Sequence, residues 1–221
     1  VSDQVRITEA TTKALQEELK REEELKKRSP YYGKVTMSSI SYVNSPDPSQ
    51  EYITLYTNLE KKDKINITGW KIQSDRSGNW VRIGRASVLP KPFTLNNKDV
   101  VLQQGDTAYI VKGFSPIGIS FRSNKCTGYF GENRTFYPYI NRQCPLVKNE
   151  ELPRFSSDLD REDECLDFID RIPACTTPFA RTNINDLPDT LASSCINYLQ
   201  TKVNYDTCVE SHYGDTDFPG K

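Results

Sequence analysis

Three alternating runs constrain the fold of this 221-residue chain more than any other feature: Glu51-Tyr52-Ile53-Thr54-Leu55-Tyr56, Asn66-Ile67-Thr68-Gly69-Trp70-Lys71-Ile72 and Gly105-Asp106-Thr107-Ala108-Tyr109-Ile110-Val111. Apolar and polar residues alternate within each, and clusters of Gly, Asn and Asp separate them, which is the pattern of half-buried antiparallel strands. Shorter runs at 34–42, 80–83 and 98–102 bring the expected strands to six. Turn-rich stretches at 44–49, 61–64 and 75–79 lie between them. This rhythm predicts a mainly β chain with its core inside a β-sandwich.

Residues 3–28 differ. They are rich in Glu, Lys, Leu, Gln and Ala and free of Gly and Pro, so they favour helix. Pairs such as Glu17 with Arg21 and Glu23 with Lys27 are spaced to support an exposed helix, and Ser29-Pro30 ends it. Leu15 and Leu19 share one face, a stripe thin enough to predict a solvated spacer over 1–30, with a weak dimer through this helix as the alternative. The chain opens at Val1 without Met, and a removed upstream segment is expected.

The strand motifs resemble those of the lamin-tail domain family. Glu51-Tyr52-Ile53 with Leu55 is similar to its Glu-aromatic-aliphatic strand, Ile67-Thr68-Gly69-Trp70 with Ile72 to its Gly-Trp strand, and Gln104-Gly105-Asp106-Thr107 with Tyr109 to its later turn and strand. Thr57 stands where the family usually carries Asn, and Gln104 where it carries Pro. The resemblance implies an immunoglobulin-like β-sandwich at 31–125. It also implies, together with a helical stalk, a membrane-anchored bacterial surface protein whose anchor precedes Val1. No catalytic or cofactor residue follows from it, because sandwiches host unrelated functions.

All six cysteines, Cys126, Cys144, Cys165, Cys175, Cys195 and Cys208, fall in the second half. Their spacing is too wide for a Cys-x2-Cys metal site. An even number where apolar patterning is weakest predicts disulfides and an oxidising, extracytoplasmic compartment. Residues 164–171 and 189–202 read as helices, with Cys165, Phe168 and Ile169 on one face and Leu191, Cys195, Tyr198 and Leu199 on the other. Pro173 and the Asn204-Tyr205-Asp206 stretch would interrupt longer helices. An antiparallel pair would join Cys165 to Cys208 and Cys175 to Cys195, leaving Cys126 for Cys144. The expected organisation is therefore a disulfide-closed aromatic loop at 126–150 and a cystine-stapled helical subdomain at 151–221.

The aromatic loop is the first candidate for partner binding. It carries Tyr129, Phe130, Phe136, Tyr137 and Tyr139 with Arg134 and Arg142, rings and guanidinium groups able to stack on sugars or bases and contact anions. The alternative is that the rings fill the junction between sandwich and helices. A net charge of −1 hides a basic middle, +7 over 31–150, and an acidic end, −8 over 151–221. The two regions would attract one another or leave a basic face open. Lys61, Lys62 and Lys64 form a basic tip for nucleic acid or another polyanion. The acidic run from Asp158 to Glu164 lacks the spacing of a calcium loop and suits a helix start. The lone histidine, His212, has no hydrolase motif around it. The expected function is non-enzymatic adhesion or assembly at a cell surface, with no cofactor or metal and with a protein or surface polymer as partner. Polyanion binding is the first alternative, and hydrolysis through His212 the remote second.

Overall fold

The structure is a computed structural model that describes residues 2–89, 97–149, 162–178 and 191–218. It opens with helix α1 (Ser2–Lys27). Side chains 11–24 are all exposed, Leu15 and Leu19 included, so its Glu, Lys and Ala content and not burial carries the helix.

Among the described residues nine short strands follow: β1 (Val35–Met37), β2 (Tyr52–Thr57), β3 (Ile65–Asn66), β4 (Lys71–Gln73), β5 (Trp80–Arg82), β6 (Ala86–Ser87), β7 (Asn97–Lys98), β8 (Val101–Leu102) and β9 (Thr107–Val111). All pairings between them are antiparallel. Strands β1, β2 and β9 form one sheet with β2 central, and β3 pairs β8, β4 pairs β5 and β6 pairs β7. The six sequence runs thus contain strands, but most break into pieces of two or three residues. Among the described residues more lie in α-helix than in strand. The chain is therefore a mixture of helices and small antiparallel sheets, not clearly mainly β.

Alternation in β2 and β9 has the expected effect. Leu55 faces Ala108 and Ile53 faces Ile110 across the ladder. Their side of the sheet closes over a core of Leu55, Leu59, Ile65, Ile67 and Leu102, with Trp70 and Ile83 from the ends of the β4–β5 pair. Tyr52, Tyr56 and Tyr109 take the opposite side, because residues two apart share a face.

Among the described residues three further α-helices follow: α2 (Glu162–Ile169), α3 (Ser193–Lys202) and α4 (Tyr205–His212). The first two present the faces read from sequence. Cys165 and Ile169 of α2 and Cys195 and Leu199 of α3 are buried in one core with Val147, Ile172 and Val203. The expected start of the second helix at Pro188-Asp189 lies outside the described residues.

The cysteine pairing corrects the expectation. All six are bridged, but as Cys126–Cys208, Cys144–Cys175 and Cys165–Cys195. The expected Cys126–Cys144 ring, the Cys165–Cys208 bridge and the Cys175–Cys195 bridge do not form. Asn204 is extended at φ −160° and its side chain accepts from the Thr207 N–H. That cap starts a separate helix, α4, so Cys208 leaves the α2–α3 pair and reaches Cys126. Cys175 sits past the end of α2 in a left-handed turn at φ 54°, where it meets Cys144. A third core collects the Cys126–Cys208 and Cys144–Cys175 bridges with Tyr129, Tyr205, Val209 and Phe218.

Candidate functional site

The aromatic segment divides between core and surface. Tyr129 and Phe136 are buried, and Phe130 packs on Tyr205 with ring centres 4.4 Å apart. Phe121 meets both Phe130 and Phe136 edge-on. Tyr129 and Phe130 thus pack with α4 and not with the α2–α3 pair, which the reading of the loop as a junction had named. Arg142 donates to the Cys175 carbonyl at 3.0 Å, so it braces the Cys144–Cys175 turn. Arg134 is exposed. Gly128 makes this packing feasible: a Cβ there would lie 2.8 Å from Cys144 Sγ and closer still to Cys175 Sγ, inside contact distance.

Tyr137 and Tyr139 turn the other way and extend a surface row. In order the row is Tyr109, Tyr52, Tyr42, Tyr137 and Tyr139, with successive ring centres 5.8, 6.0, 5.6 and 5.4 Å apart. Tyr52 and Tyr109 come from the outer face of β2 and β9. Tyr42 reaches them from the loop bridged to β2 at Ser41. Exposure is 51% at Tyr109, 46% at Tyr42 and 69% at Tyr139. The phenol of Tyr109 is held above its usual 10.0 by burial and its tyrosine neighbours, and that of Tyr137 chiefly by a hydrogen bond with Tyr139. Lys112 and Glu51 neutralise one another beside the row at 2.9 Å. Such a surface offers apolar ring area with a hydrogen-bonding tip on each ring.

Tyr42, Tyr52 and Tyr109 are not among the binding candidates read from the sequence, where Tyr52 and Tyr109 figure only as strand residues. The period-two pattern Tyr52, Thr54, Tyr56 was a usable signal, but the long-range partnership with Tyr42 and Tyr137 has no local signature. Lys61, Lys62 and Lys64 are exposed on the turn that follows the far end of β2 from Tyr52. The Asp63 among them pairs with Lys34 at 3.6 Å.

His212 belongs to a polar clasp at the end of the chain. Its Nδ1 lies 2.7 Å from Asp215, while Lys125 donates to Asp215 at 3.0 Å and to Asp217 at 2.6 Å. Both carboxyls are held below their ordinary value, chiefly by Lys125, and the Lys125 amine is raised, chiefly by Asp217. The next residue, Cys126, is bridged to Cys208, so clasp and disulfide fasten the same junction. Among the described residues no group of three or more His, Cys, Asp or Glu is placed to hold a metal ion. In the acidic run, Asp158 and Asp160 lie outside the described residues. No described helix is long and apolar enough to cross a membrane. Three disulfides indicate an oxidising, extracytoplasmic setting. No protein-family model matches this chain, and no curated protein or solved structure matches it.

Proposed function

We propose that this chain is a non-enzymatic extracytoplasmic protein displayed at a cell surface, where it mediates adhesion or assembly through its tyrosine row. The observation that carries the reading is the row itself: five tyrosines in consecutive contact, three of them about half exposed or more. Tyrosine supplies rigid contact area at low entropic cost and is enriched at binding hot spots. An amphipathic surface of this kind suits a protein or a surface polymer as partner. The three disulfides support an exported location. The lamin-tail resemblance supports an immunoglobulin-like arrangement of the strands at 31–125, and the exposed α1 suits a stalk between such a module and an anchor.

The test is retention of fluorescently labelled protein on the cells that produce it, comparing wild type with Tyr109→Ser/Tyr139→Ser. Loss of each hot-spot tyrosine costs on the order of 1–2 kcal/mol, so the double variant should bind at least about tenfold more weakly. Equal retention of the two proteins rejects the row as the docking surface. Free thiols at all six cysteines in natively produced protein reject the exported location and move polyanion binding in a reducing compartment to first place.

A further inference from the structure

The hairpin formed by β4 and β5 carries a second surface that the proposed function does not use. Lys71 faces Arg82 directly across the ladder, and Gln73 faces Trp80 one step further along the same face. All four residues are exposed, Trp80 at 55%. The Lys71 Nζ lies 4.9 Å from the centre of the indole, and the Arg82 guanidinium carbon 5.5 Å. Both cations come from the same step of the ladder, next to the step that carries Trp80.

This arrangement is held at a cost. Like charges directly opposite on a two-stranded ladder repel by a few tenths of a kcal/mol or more. Among the described residues no carboxylate lies within ion-pair distance of either cation. The ring offsets part of the repulsion by attracting both. One Arg82 Nη donates to the Gly69 carbonyl at 3.2 Å, which fixes the guanidinium while leaving the rest of its fork available. Two preset cations without a counter-charge, beside a half-exposed indole, complement an anion attached to something that packs on a ring.

We infer that the Lys71, Trp80 and Arg82 face of this hairpin is a binding site for a carboxylate-bearing polysaccharide. In an acidic sugar the carboxylate is bonded to the sugar ring itself, so one unit can lay its C–H face on the indole and present its oxygens to the adjacent Arg82 fork and Lys71. Arg matches a carboxylate with two parallel hydrogen bonds. In a nucleotide the sugar stands between base and phosphate, which separates the stacking group from the charge. The +7 balance of residues 31–150 adds a favourable field around the site.

The experiment titrates the whole 221-residue chain with polygalacturonate, with dextran as the neutral polymer and oligo(dT) as the nucleic acid, and follows tryptophan fluorescence and binding heat. Polygalacturonate should bind at least about tenfold more tightly than the other two, and should weaken about threefold or more when salt rises from about 50 to about 300 mM, as expected of exposed charges. Lys71→Gln/Arg82→Gln should lose about tenfold or more in affinity with an unchanged melting temperature, because both side chains are exposed and the repulsion removed offsets the lost ring and Gly69 contacts. Trp80→Ala should lose both affinity and the fluorescence response. Unchanged affinity in the charge variant, equal binding of dextran, or no binding of polygalacturonate overturns the site. Tighter binding of oligo(dT) overturns the ligand class in favour of nucleic acid. The tyrosine variants leave this measurement untouched, so the two functional readings fail independently.

Discussion

Tyr205 shows how one side chain links the strand-bearing half to the helices. It is buried in the bridged core, packs on Phe130, and accepts a hydrogen bond from the Asn124 amide at 3.3 Å. Burial pushes its phenol from 10.0 up to about 12. Below pH 10 the phenol is protonated in both folded and unfolded chains and contributes no pH dependence. Between about 10 and 12 the unfolded chain releases the proton while the folded one retains it, so stability falls as pH rises. Tyr205→Phe should lose about 1 kcal/mol at neutral pH with the hydrogen bond, and should show a shallower loss above pH 10 in urea titrations. An identical alkaline slope in both proteins would refute the assignment. At this scale the sequence was informative about residue type and weak about fate. Tyr129 and Tyr139 read alike in the 126–144 segment, yet one is buried and the other is among the most exposed rings. What divides them is that Tyr129 joins the core built with Tyr205, Val209 and Phe218, residues far from it in the chain, whereas Tyr139 meets the ring of Tyr137.

At the level of elements, local rules were legible wherever local physics decides. Residues 52–57 and 107–111 alternate and pair, and the faces of α2 and α3 follow their apolar spacing. The disulfide pattern was misread because it assumed that Cys175 and Cys208, past the ends of the two expected helices, stay beside the antiparallel pair. The Asn204 cap breaks that assumption: it ends the α3 direction and aims Cys208 at Cys126. Asn204→Ala should cost about 1 kcal/mol, the usual value of an N-cap hydrogen bond, with a matching loss of helical circular dichroism near the midpoint of denaturation. A loss below about 0.3 kcal/mol would show that the bridge alone holds α4 in place.

For the whole molecule, the three bridges differ in what they enclose. Cys126–Cys208 spans 82 positions, and the other two span 31 and 30. In the chain-entropy account the long loop stabilises by about 4.5 kcal/mol and each short one by about 3.6 kcal/mol. Replacing both Cys126 and Cys208 by Ala should therefore lower stability more than removing either short bridge, as read by guanidinium titration. A smaller loss than for Cys165 with Cys195 would mean that the Lys125 clasp and the shared aromatic core hold the junction without the covalent link. Non-reducing peptide mapping should recover the three pairs seen here. None of this long-range organisation has a local sequence signature, since six cysteines permit 15 pairings and apolar spacing does not rank them.

The Cys126–Cys208 bridge also has a mechanical consequence. A pull applied to the chain on either side of that loop passes from residue 126 to residue 208 through the sulfur atoms, and the intervening helices carry no tension. With 82 positions excluded at roughly 3.4 Å each, the bridged molecule extends about 280 Å less than the fully reduced chain. Under load the N-terminal helix and the short strands yield, while the loop closed by Cys126 and Cys208 bears no tension until its disulfide is reduced.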